Sequence, residues 1–234
     1  LVLDISRPDV RDYLFERISS LCREHAIDYI KWDMNRDLVL AGDGSRAHAA
    51  RQPQALCDLL GDLRDAFPDL EIETCASGGA RADFGVLRHT GRVWTSDNID
   101  PIERTRIQAG FLRWLPPEIM GAHVGHESAH LTGRVTDLHT RGIVALQGQF
   151  GFELDARRLE PATVVGLHHY TSLYKKHREW LAESRHLRLD CPGEPAIMAS
   201  MQVARDGTIA LLWVVAVETV AHSRPGRLQL AGLQ

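Results

Sequence analysis

Residues 28–37 read DYIKWDMNRD, an apolar, β-prone start that runs into a lysine, an asparagine, an arginine and two further aspartates. Side chains two apart on a strand share a face, so a strand here puts Lys31 and Asp33 on the same side. A lysine beside an aspartate holds the carboxylate in its ionised form. That arrangement serves a nucleophile, and it serves a structural ion pair equally well. Asn35 and Arg36 are read either as part of the same polar end or as loop residues facing water.

On either side of this stretch, short β-like runs alternate with longer helical ones, the pattern of an α/β fold with a parallel sheet. Upstream, LVLD reads as the end of a strand, and Ser6, Pro8 and Asp9 supply helix-start chemistry. Val10, Leu14, Ile18 and Leu21 then recur at helical spacing, which predicts a helix over about 8–25. The strand carrying Lys31 is placed at 27–33. Downstream come a Gly-rich loop at AGDGS, a helix from near Pro53 with Leu56, Leu59, Leu60, Leu63 and Phe67 on one side, and the strand and loop of LEIETCASGG. RVWTSDN follows as a strand, PIERTRIQAGFLRW as a helix opened by Pro101, IMGAHVG as a strand, and GIVALQGQF as another. A helix over about 161–181 carries Leu167, Tyr170, Tyr174 and Leu181 on its apolar stripe.

From Arg185 the texture changes. Two β-rich runs flank Asp206-Gly207, a strong hairpin signal, so a boundary near residue 184 separates an antiparallel β-sandwich portion at 185–234. Within 1–184, polar residues recur at the downstream ends of successive runs: Asp4, Asp33, Ser77, Asp97 and His123. A (β/α)8 TIM barrel places its chemistry there, and a whole barrel takes roughly 250 residues. Residues 1–184 are therefore read as the later part of such a barrel, with earlier strands preceding Leu1.

Interspersed charges with a net of −4 rule against a basic face for nucleic acid or an anionic membrane surface. The expected substrate is neutral or small and polar. Cys22, Cys57, Cys75 and Cys191 lack a CxxC pair or a repeated spacing, which argues against a disulfide framework and a cysteine zinc site and points to a reducing, cytoplasmic compartment. No run approaches the roughly 18 apolar residues of a membrane helix.

Asp97 ends a second strand within WTSDNID, with Asp100 three residues on. A carboxyl group facing Asp33 across a pocket is pushed toward its protonated form by the neighbouring charge and by burial. One ionised and one protonated carboxyl group is the equipment of a glycosidase. Asp100, directly before Pro101, is read instead as a helix cap. TCASGGAR sets Cys75 and Ser77 on one strand face and follows them with Gly78 and Gly79, which permit close backbone approach to a ligand or a tight turn. HESAH, residues 126–130, matches the HExxH zinc pattern, with Glu153 as a distant third ligand. His126 and His130 share a face only on a helix, and Gly121, Gly125 and Gly133 argue against one, so a zinc hydrolase is disfavoured.

Taken together, YIKWDMNR, CASGGAR, VWTSDNID and MGAHV, in this order and at these intervals, resemble the family 36 α-galactosidases of the melibiase type. The resemblance runs from RPDVRDYL through TRGIVALQGQFGFELD to YKKHREWL. It implies a (β/α)8 catalytic barrel and a retaining glycoside hydrolase that removes terminal α-linked galactose from oligosaccharides such as melibiose or raffinose. The implied nucleophile is Asp33 and the implied general acid/base is Asp97. Lys31 then contacts sugar hydroxyls and the nucleophile, and Cys75 and Gly78 line the pocket beside the galactose ring. No metal or cofactor is implied, and the two carboxyl groups of a retaining enzyme sit about 5–5.5 Å apart. The same residues fit an α-N-acetylgalactosaminidase or a galactosyltransferase of that family, while a noncatalytic remnant keeps the fold without turnover. Tetramers in the family leave a homo-oligomer open. Ala80, Ile99 and Pro101 depart from the family's usual residues, which bears on fine specificity.

Overall fold

The YIKWD run forms a strand, β1 (Tyr29–Asp33), which pairs in parallel with β2 (Glu71–Cys75); β2 in turn pairs in parallel with β3 (Arg92–Trp94). The computed structural model describes residues 2–38, 49–220 and 226–231, so the AGDGS loop lies outside the described residues. The chain divides into two compact units, Leu1–Trp94 and Thr95–Gln234.

In the first unit, α1 (Pro8–His25) starts with Pro8 at its first turn and stops where Ala26 adopts a left-handed conformation and donates its N–H to the Cys22 carbonyl. The helix α2 (Arg51–Ala66) buries Leu56, Leu59, Leu60 and Leu63 along one side, as its periodicity predicts. Burying each leucine contributes about 1.5–3 kcal/mol. Ile30 and Trp32 of β1 pack into the cluster formed by Cys22, Leu56, Leu60 and Ile72. This fixes the register of β1, because a slip of one residue would turn Lys31 and Asp33 into that core.

One expectation for this unit is corrected. Of LVLD, residues 2–4 form no strand: the Leu3 carbonyl accepts from the Gln52 side chain at 2.6 Å and the Ile5 N–H at 3.1 Å, where a sheet neighbour would be needed. Between CASGGAR and β3, where the sequence reading assigned no element, lies a one-turn helix, α3 (Phe84–Leu87). Asp83 nucleates it by accepting the N–H groups of Gly85 and Val86.

The second unit contains α4 (Pro101–Phe111), β4 (Met120–Gly125), α5 (Leu138–Ala145), β5 (Gln149–Glu153) and α6 (Pro161–Ala182). Strands β4 and β5 pair in parallel. Beyond α6, β6 (Arg185–Leu189), β7 (Ile197–Val203) and β8 (Ala210–Ala216) form an antiparallel sheet in that order. Its β7–β8 turn contains Gly207 at φ 73°, the conformation that an Asp-Gly hairpin signal anticipates.

GIVALQGQF is not one strand. Its first four residues complete α5, and β5 begins only at Gln149. The helix is started upstream by Asp137, whose carboxylate accepts the Thr140 N–H at 2.7 Å and hydroxyl at 2.9 Å. Ile143 and Val144 look β-prone in isolation, but each finds apolar packing from the helix, and packing overrides propensity.

Candidate active site

The first part of the site is built by strand register. Along β1, Tyr29, Lys31 and Asp33 lie on the exposed face, while Ile30 and Trp32 are half-buried on the other. Parallel pairing sets Lys31 beside Glu73 and Asp33 beside Cys75. The Lys31 ammonium sits 3.5 Å from Glu73 Oε1 and 4.7 Å from the centroid of the Trp94 ring. Lys31, Asp33 and Cys75 are thereby brought together, with the Gly78 backbone in hydrogen-bonding reach of Cys75.

Asp33 ends its strand and is held by the loop that follows β2. Its Oδ2 accepts a 2.9 Å bond from Asn35 Nδ2, and Asn35 Oδ1 accepts the Ser77 N–H at 2.7 Å. Asn35 is thus a strut between the aspartate and the neighbouring loop. Ser77 does not share a strand face with Cys75 as expected, because the strand stops at Cys75 and Ser77 turns to φ 49°. Gly78 continues the turn at φ 81°, a conformation strained for a residue with a Cβ.

Arg81, unremarked in the sequence, ties the ends of the two strands. Its guanidinium donates to the carbonyls of Trp32 and Cys75, each at 2.9 Å, and to the Thr74 hydroxyl at 3.1 Å. Those carbonyls flank the peptide that carries Asp33 and the register position opposite it, so one side chain fixes both. Burial draws the Arg81 pKa down, partly offset by the nearby Cys75 and Asp33.

The Cys75 thiol is buried, and its pKa is pushed up to about 11, first by burial and also by Asp33, against the opposing pull of the Gly78 backbone and Lys31. At neutral pH it is therefore a thiol that fills space beside Asp33, not a nucleophile. Alkylation of Cys75 by iodoacetamide in the folded protein is expected to be far slower than that of glutathione at pH 8, and to accelerate as pH rises toward 11. Rapid labelling of the Cys75 peptide at pH 8 would show that the pocket is not built this way.

Asp97 belongs to the second unit. It does not end a strand: β3 stops at Trp94, and Asp97 is exposed in the loop that follows. The run turns early because side chains capture its backbone. Ser96 Oγ accepts the Asn98 N–H, and Asn98 Oδ1 accepts the Asp100 N–H, both at 3.1 Å. Arg104, only 2% exposed, donates to the Ser96 carbonyl at 3.2 Å and to the Gly121 carbonyl at 2.6 Å. Burial pulls its pKa down to about 10, which leaves it cationic at neutral pH. A buried cation thus anchors the residue before Asp97.

Asp100 is the helix cap its position suggested. Oδ1 accepts the Ile102 N–H at 2.9 Å, while Oδ2 accepts the Thr132 hydroxyl and Arg134, both at 2.6 Å. Burial pushes this carboxyl up, but the Thr132, Arg134 and Ile102 bonds outweigh it and hold the group below the usual range.

The HESAH segment forms no helix; Ser128 instead bridges to Val135 in an antiparallel pair. His126 Nε2 accepts the Asp155 N–H at 3.2 Å. His123 lies within β4 and not past its end, with Nδ1 3.9 Å from Glu153 Oε2. Among the described residues, no group of three or more His, Cys, Asp or Glu side chains is disposed to hold a metal ion.

Glu73, Arg81 and Arg104 were not foreseen. Each acts on a partner distant in sequence or on a backbone carbonyl, so no spacing pattern announces it.

Comparison with known proteins gives this site its context. The melibiase family model matches residues 1–184. The α-galactosidase of Escherichia coli is 41% identical over 232 residues, covering 99% of this chain and 33% of that protein. α-Galactosidase AgaA of Geobacillus stearothermophilus is 37% identical over 239 residues, with 100% of this chain and 33% of that protein covered. The crystal structure of an AgaA variant in complex with raffinose matches with a TM-score of 0.93 at 36% identity, again over 100% of this chain and 33% of that one. This chain spans about a third of the length of the relatives it matches. The chain belongs to the melibiase family.

Proposed function

We propose that this chain carries the catalytic centre of an α-galactosidase, which releases terminal α-linked galactose with retention of configuration. The observation that carries the reading is Asp33 at the end of β1, on the same exposed strand face as Lys31, in a chain of the melibiase family. On this reading residues 1–184 are the later part of a (β/α)8 barrel and 185–234 open a β-sandwich.

Asp33 attacks the anomeric carbon while Asp97 protonates the departing glycosidic oxygen. Asp97 then takes a proton from water, which displaces Asp33 and frees galactose. Lys31 orients sugar hydroxyls beside Asp33. Cys75 and Gly78 form the wall beside the ring. Oligosaccharides of the raffinose type are the proposed substrates, since AgaA variants have been crystallised with raffinose and with stachyose.

Retention is tested by following the anomeric proton during hydrolysis of an aryl α-galactoside by the protein expressed from its full reading frame. The α-anomer of galactose should form first and then mutarotate. Initial release of the β-anomer would assign an inverting mechanism and remove Asp33 as a nucleophile.

A further inference from the structure

Glu73 is completely buried in the middle of β2. A buried carboxylate is costly unless it is paired and hydrogen-bonded. Its Oε2 accepts the Tyr29 hydroxyl. Burial first, and then this bond, push the Tyr29 phenol up, so it keeps its proton and keeps donating. Oε1 accepts no hydrogen bond among the described residues and faces the Lys31 ammonium at 3.5 Å. Arg92, beside Glu73 in the register with β3, pairs with Glu71 at 2.7 Å and lies over the Tyr29 ring. Lys31 is a cation that faces the buried carboxylate.

The constraint acts in both directions. A lysine stem rotates freely and loses that freedom when it binds. Here Glu73 holds the ammonium on one side and the Trp94 ring on another, and both anchors stand on strands. The Lys31 side chain remains 37% exposed while Glu73 is sealed off. Lys31 can therefore meet a substrate that Glu73 cannot touch.

We propose that Glu73 is a positioning residue for the glycosidase reaction, holding the Lys31 ammonium where it receives the sugar hydroxyls beside Asp33. The proposal rests on the roles given to Lys31 and Asp33 above. Ordering the cation before the sugar arrives removes part of the cost of binding, and a displacement of about 1 Å at such a contact can cost on the order of 10²-fold.

The test is a double-mutant cycle on the full-length enzyme with an activated aryl α-galactoside, so that slow variants remain measurable. Glu73→Gln keeps the shape and the Tyr29 bond but removes the charge. It is expected to lower kcat/KM by about 10- to 100-fold, chiefly through KM, and to cost nothing further in a Lys31→Met background. Glu73→Asp, which keeps the charge but draws it back by one methylene, should show a smaller loss with the same dependence on Lys31. It serves as the second variant if Glu73→Gln does not fold. An equal loss in the presence and absence of Lys31 overturns the proposal, since Glu73 would then act on stability or on another group. Asp33→Ala is assayed alongside. An inactive Asp33→Ala with an additive cycle overturns the role of Glu73 alone, whereas an active Asp33→Ala overturns the reading of the site and this proposal with it.

Discussion

Asp33→Ala, in the protein expressed from its full reading frame, is expected to lower kcat/KM for an aryl α-galactoside by on the order of 10⁴-fold or more. Proton transfer by a positioned group is typically worth about 10²–10⁴, and Asp33 on our reading does more, because it forms the covalent bond. The fold should survive the change. Asp33 is exposed at the strand end, the core face of β1 is carried by Ile30 and Trp32, and Lys31 retains Glu73 as its partner. Azide should enter the space left by the carboxylate and restore turnover, giving β-galactosyl azide by a single inversion. Unaltered activity would remove Asp33 from the mechanism.

The second large effect is expected at Asp97, and its size should depend on the leaving group. Melibiose needs a proton on its departing oxygen, so Asp97→Ala should cost about 10²–10⁴ in kcat/KM. A dinitrophenyl galactoside needs none and should be cleaved at nearly the native rate in the first step. Release of the galactosyl enzyme then becomes limiting, a burst of phenolate appears, and azide yields α-galactosyl azide. A uniform loss across leaving groups would instead place Asp97 in binding or folding.

Much of this was legible before any coordinates. The apolar spacing of Leu56, Leu59, Leu60 and Leu63 located α2, Pro101 after Asp100 located a capped helix start, and the strand period placed Lys31 and Asp33 on one face. These features are local and repeat at a fixed interval. Errors arose where a local preference met a competing partner. LVLD is β-prone, yet the Leu3 carbonyl bonds to Gln52. Ile143 and Val144 suggested a strand, yet a cap five or more residues upstream had already started a helix. Asp97 was expected to close a strand, but β3 stops at Trp94, and side-chain bonds from Ser96 and Asn98 hold the backbone on either side of Asp97 in a turn. Glu73 was hidden for a different reason. In LEIETC it is one acid among two, and only the register of β1 on β2 reveals that it is sealed against Lys31.

The most direct measurement is to trap the intermediate. A 5-fluoro-galactosyl fluoride forms a galactosyl enzyme that turns over slowly, so digestion and peptide mass spectrometry of the inactivated full-length protein can locate the ester. The sugar is expected on Asp33, within the peptide that contains YIKWDMNR. A label on any other carboxylate, or time-dependent inactivation with no label on this peptide, would contradict the mechanism.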